Sequence, residues 1–287
     1  MRAVFSKEFK NSMFTVTGPI FIAFVLLWFG IFTVDTNLDN GYSQFEYTVS
    51  RSAFISLLAI PLLTMRSHAE EKRNGSDKLL ASLPLGTGKI VISKYFAALA
   101  VFAIPTVILF FYPLILSKFG EVYLNTAWSS LLAYFLVGAT LIAVGEFISS
   151  LTESQVIAAI FSLGSIIMML LIGDRASSLP QTSAFSLVFL ILLSLAVALI
   201  SWALTKSAAI SGVIFGIGTT ASLIVYIVDK TALEGLATDW LKTLDLFDRS
   251  NSFFAGNLDL TAVVYYLGMI GLFLFMTALS VDKRRWN

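Results

Sequence analysis

Residues 16–34 read VTGPIFIAFVLLWFGIFTV, 19 positions without a charged side chain. As an α-helix such a run rises about 28 Å at ~1.5 Å per residue, close to the ~30 Å hydrocarbon core of a bilayer. The pattern then recurs. Comparable apolar stretches cover 49–65, 95–116, 127–148, 155–173, 184–204, 208–228 and 260–281, so the sequence predicts an all-α polytopic membrane protein with about eight transmembrane helices. The stretches are continuously apolar and do not alternate with period two, which argues against a membrane β-barrel. The second is the weakest, being short and opening near Arg51, whose long side chain can snorkel toward the headgroups. Pro19, Pro61, Pro105 and Pro113 are expected to kink or end spans where neighbours satisfy the freed carbonyls.

Composition sets the same class. Of 287 residues 57% are hydrophobic and 13% charged, more apolar surface than a water-soluble fold buries. Cysteine is absent and histidine occurs once, which excludes disulfides, thiol chemistry and histidine-rich metal sites. Basic residues fix the expected orientation. With the N-terminus inside, eight spans put 13 of the 19 Lys and Arg on the cytoplasmic side, including the dense loop from Arg66 to Lys94, and both termini end there.

Four segments outside the spans carry information. In residues 1–15 Phe5, Phe9 and Met13 recur every four positions among Arg2, Lys7, Glu8 and Lys10, the signature of an amphipathic helix on the inner membrane surface. The segment 229–259 places Leu233, Leu236, Trp240, Leu241, Leu244 and Phe247 at helical spacing, predicting an extracellular amphipathic helix that caps the bundle or lies at the outer interface. The loop 149–155 offers Ser150 or Thr152 as a cap for the helix after it. The fourth segment, Thr64 to Tyr95, has a charged start, an Asn74-Gly75 turn signal, a short helical stretch to Leu83 and a break at Pro84. Leu79, Leu80 and Leu83 fall on one side of that stretch, an apolar edge rimmed by charge that suits docking of another protein.

Residues 63–94 resemble the first cytoplasmic loop of ABC-2-type permeases, those related to the gliding-motility permeases in particular. The resemblance is carried by Thr64, Met65, Arg66, Ala69, Glu70, Glu71, Lys72, Gly75, Leu79, Leu80, Leu83, Pro84, Ile90, Val91 and Lys94, with SSLTESQ at 149–155 and a final span closing on basic residues and Trp286. It covers roughly the first 175 residues and the last 40. It implies a six-span core, to which 184–204 and 208–228 are two additions, within one permease domain over 1–287. It also implies a non-catalytic subunit of a bacterial inner-membrane exporter that pairs with an identical or sibling permease and takes its force from two copies of an ABC ATPase. ATP and Mg would be bound by that partner, and no cofactor by this chain. An extracellular auxiliary protein fits the same scheme, and nucleic acid has no place in it. By this resemblance the coupling element is Glu70 to Pro84, with Glu70 and Glu71 as polar contacts, Gly75 in the turn, and Leu79, Leu80 and Leu83 as the docking edge.

Other signals are weaker. Gly86-Thr-Gly-Lys89 lacks the glycine and hydroxyl of a phosphate loop at positions 83 and 90. Asp35, Asn37, Asp39 and Glu46 match a calcium-loop spacing with the glycine displaced to Gly41. His68 reads as a loop residue. Gly212 and Gly216 form a GxxxG pair that permits close helix approach, within one bundle or across a dimer. Glu146, an acid near a span interior, is open to two readings, an interfacial structural role or a role in the pathway or gating. The spans hold Ser, Thr, Tyr and Phe without a charged row, which suits an apolar or amphipathic substrate better than an ion. The alternative class, an ATP-independent secondary transporter or channel, calls for mid-membrane coupling charges and a clear repeat.

Overall fold

The computed structural model describes residues 1–76, 86–176, 179–205, 207–243, 245–254 and 259–285. Among them there is no strand; the helices are α1 (Arg2–Phe14), α2 (Thr17–Thr33), α3 (Phe45–Leu57), α4 (Ile60–Thr64), α5 (Ala69–Asn74), α6 (Thr87–Leu109), α7 (Tyr112–Leu116), α8 (Leu124–Leu151), α9 (Gln155–Ala176), α10 (Ser183–Thr205), α11 (Ala208–Val228), α12 (Leu236–Thr243), α13 (Asn251–Phe254) and α14 (Leu260–Arg285). The all-α polytopic class is as the sequence predicts. Among the described residues five helical stretches are long and apolar enough to cross a bilayer, beginning at Thr17, Thr87, Leu124, Ser211 and Leu260, and α3 with the helix from Ile60 makes a sixth if the bent pair is one span. Helices α9 and α10 coincide with the other two expected spans, although their described apolar stretches are shorter, Gln155–Met169 and Ser183–Leu195.

The chain divides into two compact units, Met1–Ile167 with Arg249–Asn287, and Met168–Asp248. In the first, α8 is the central post. Its apolar window is 72% buried against 17% for that of α14, because α8 packs on α3, α4, α6, α13 and α14. Tyr134 of α8 meets Phe29 of α2 edge-on at 5.1 Å and Phe102 of α6 at 5.4 Å, so one buried aromatic cluster ties three spans together. Helix α2 shows how sequence chooses faces. Phe21, Val25 and Phe29, four residues apart, are buried, whereas Ile20, Leu27 and Ile31 are exposed, a costly arrangement in water and the ordinary one in lipid.

The weak second span is a broken helix. Thr48, Ser52 and Ser56, also four apart, are fully buried on α3, where small side chains permit close packing on α8. Ser56 Oγ donates back to the Ala53 carbonyl at 3.0 Å, so the hydroxyl is satisfied within its own helix. After Leu57 the chain bends by 43° and resumes at Ile60, with Pro61 in the first turn, where a missing N–H costs nothing.

Connections within this unit gather at two poles. Asn37 accepts from Thr48 at 2.6 Å and Glu46 from Thr126 at 3.4 Å at one pole; α1, α5, the start of α6 and the ends of α8 and α14 meet at the other. Residues 34–39 form a π-helical turn in which Asp35 pairs with Arg51 at 3.0 Å, so the calcium-like spacing is not a calcium loop.

In the second unit α10 and α11 pack along each other. The close approach is at Gly218, where an added Cβ would lie 2.6 Å from Ser194 Cβ; Gly212 and Gly216, the expected GxxxG pair, face open space. The outer segment is not one helix. Gly235 takes φ +76° and breaks it, leaving a 3-10 turn at Thr231–Leu233 before α12, and Asp248–Ser250 forms another turn before α13. Leu233 and Leu246 are buried while Trp240 is 56% exposed, so the apolar positions do not share the single face that spacing predicted.

Candidate functional site

The predicted coupling element begins with α5, a helix of six residues that could not persist alone in water. Its stability comes from what holds it. Ser149 Oγ, on α8, accepts from the backbone N–H of His68 at 3.1 Å and of Ala69 at 3.2 Å, capping α5 from a different helix, and lies 3.3 Å from the Met65 carbonyl, to which it donates. Glu70 and Glu71 occupy the first turn and Lys72 and Arg73 the last, each sign at the helix end that favours it. Lys72 Nζ donates to the Ser150 carbonyl, and Ser280 of α14 donates to the same oxygen at 3.2 Å, so the C-terminal end of α8 is bound by α5 and α14 together. Gly75 closes α5 with φ +69°, the left-handed conformation that its lack of a Cβ allows at low cost.

Glu71 is engaged inside the protein. Its carboxylate lies 2.7 Å from Lys94 Nζ, a side chain 1% exposed on α6, and 3.5 Å from Lys7 Nζ on α1. Lys94 also donates to the Ser67 carbonyl. Partial burial works against the Lys7 ammonium, yet Glu8 and Glu71 outweigh it and its pKa is raised. Any part that Glu71 plays in coupling therefore runs through the position of α5. Glu70, half-buried, makes no side-chain hydrogen bond or ion pair among the described residues. Leu79, Leu80, Leu83 and Pro84 lie outside the described residues.

Glu146 is wholly buried on α8. Its Oε2 accepts from Ser67 Oγ at 2.7 Å and lies 3.1 Å from His68 Nε2 without hydrogen-bond alignment; Oε1 has no partner among the described residues. Glu146, Glu71, Lys94, Lys7 and Arg66 line one cavity of about 210 Å³ among α1, α4, α5, α6 and α8. The helices cross closely above it: a Cβ on Gly145 would fall 2.3 Å from Thr64 Oγ1. Among the described residues no three His, Cys, Asp or Glu side chains gather to hold a metal.

Some of this was not anticipated. His68 does lie in the turn that leads into α5, but it is buried there at the head of the helix. Ser149 and Ser150 belong to α8, and the cap of α9 falls to Ser154, whose Oγ accepts from the Ile157 N–H at 3.5 Å, while Thr152 accepts from the Ser154 N–H. For Lys94 a signal existed. Ile90, Val91, Ala97, Ala98 and Val101 are buried with it on one stripe of α6, and a cation on an apolar stripe calls for a buried anion.

Residues 7–216 match the family model of the ABC-2 family transporter protein. The chain belongs to that family. The match begins in α1 and runs through α10 into α11, so it takes in 184–204, which the sequence reading treats as an addition, and it stops before the final span. A search of curated proteins finds no match. The ABC-2 assignment makes this chain a membrane-embedded transport subunit, and the clamp around α5 lies well inside the matched region.

Proposed function

We propose that this permease subunit serves an ABC exporter of apolar or amphipathic substrates, with ATP hydrolysed by a separate subunit. The observation that carries the reading is the clamp on α5. A short helix at the basic pole, tied to α8 by Ser149 and Ser150 and to α6 by Lys94, would move with the spans when pushed. Permeases of the family work with an ABC ATPase and pair with a second permease; here two ATPase copies would dock on Leu79, Leu80 and Leu83. In this reading eight spans leave both termini in the cytoplasm of a bacterial cell, in its inner membrane, close to the gliding-motility permeases in type. The exposed apolar residues of α2 and α14 favour a membrane-partitioning cargo over an ion.

The test is co-purification in mild detergent from native cells. An ATPase recovered in stoichiometric amount, and lost when Leu79 and Leu80 are changed to Ser, supports the reading. A chain that transports in proteoliposomes without ATP or any ATPase overturns it in favour of a secondary transporter.

A further inference from the structure

The cavity at the basic pole has a charge inventory that its internal bonds do not exhaust. Glu71 is shared by Lys94 and Lys7, which also contacts Glu8. That leaves one buried acceptor, Glu146 Oε1, without a partner, and an exposed guanidinium, Arg66, with no side-chain hydrogen bond or ion pair among the described residues. A lone buried carboxylate oxygen is costly unless a donor reaches it. Leu62 and Leu63 supply an apolar wall, and Leu62, 44% exposed, stands four residues before Arg66. Apolar surface, a cation and a buried acid lining one cavity are complementary to acyl chain, phosphate and ammonium.

We propose that this cavity binds the headgroup of a zwitterionic phospholipid taken from the inner leaflet, its ammonium on Glu146 and its phosphate on Arg66. The proposal rests on the export reading and names its substrate class. An anionic lipid would satisfy Arg66 but leave Glu146 unmet, and a plain cation would meet Lys94 at the cavity wall. The volume, about 210 Å³, admits a headgroup and keeps the acyl chains outside, along Leu62.

The experiment is calorimetric titration of the purified full chain in detergent with dihexanoyl phosphatidylethanolamine and, separately, dihexanoyl phosphatidylglycerol. The first is expected to bind about tenfold more tightly, in line with one charge-assisted hydrogen bond. Glu146→Gln is expected to abolish that preference, whereas Arg66→Ala weakens both lipids. Ser67→Ala, which removes a neutral contact of Glu146 and keeps its carboxyl group, should retain the preference. Equal affinity for the two lipids in the wild type, or an unchanged preference in Glu146→Gln, overturns the proposal, as does tighter binding of a zwitterionic amphipathic peptide than of either lipid. If Glu146→Gln does not fold, the surface variant Arg66→Ala decides: undiminished binding refutes the phosphate assignment. No ATP is present, so failure here leaves the permease reading standing, and absence of an ATPase partner leaves this result interpretable.

Discussion

Replacing Glu71 by Gln separates a clamp from a decoration. Lys94 is 1% exposed and would keep only the Ser67 carbonyl and a neutral amide. Breaking a buried pair by removing one partner costs about 3–5 kcal/mol; with Glu71 at 14% exposure the low end applies, about 3 kcal/mol, or roughly a hundredfold in the equilibrium that frees α5 from α8. Lys94→Met should cost less, because Glu71 keeps Lys7 at 3.5 Å. The double variant, which removes both charges, should return close to wild type. The sequence has no cysteine, so Ser150→Cys introduces the only thiol, at a buried position whose carbonyl Lys72 holds and whose own hydroxyl bonds within α8. Maleimide labelling of that thiol should quicken by up to about a hundredfold in Glu71→Gln, less in Lys94→Met, and fall back in the double variant. Equal labelling rates in all four backgrounds would refute the clamp.

Other outcomes follow from the same geometry. Gly145→Ala overpacks the crossing with Thr64 and should cost about 1–3 kcal/mol by melting of the purified protein; adding Thr64→Ala should recover part of it, because Oγ1 at 2.3 Å is then gone while Cβ at 2.9 Å remains. Glu70→Lys, at a side chain without an internal partner, should change stability by no more than ~0.5 kcal/mol while uncoupling ATP hydrolysis from transport, so normal transport would sink its coupling role. Single cysteines at Arg73 and Lys118 should label from opposite faces of sealed vesicles, Arg73 from the cytoplasmic face; labelling from one face would break the topology.

Long apolar runs announced the helices, because a span must satisfy its backbone within itself and so declares its length in hydropathy alone. The break at Pro61 was visible for the same reason, proline being a local signal. Gly235 acted locally too, yet the regular spacing of Leu233 to Phe247 hid it, since periodicity counts residues and does not register a left-handed turn. The clamp was half legible. Glu71 and Glu146 stood out as acids, but their partners Lys94, His68 and Ser67 lie 23 to 79 positions away along the chain or look like ordinary loop residues. Ser149 gave no signal, because capping a helix from another helix depends on a crossing that spacing does not encode.

The central claim is that a separate ATPase bears on the pole where α5 sits. Arg73, exposed near the end of α5, is the place to ask, as a single cysteine in an otherwise thiol-free chain. Maleimide should label it in the permease purified alone and fail to label it in the complex with its ATPase, with protection lost when Leu79 and Leu80 are changed to Ser. Equal labelling alone and in the complex would contradict the account.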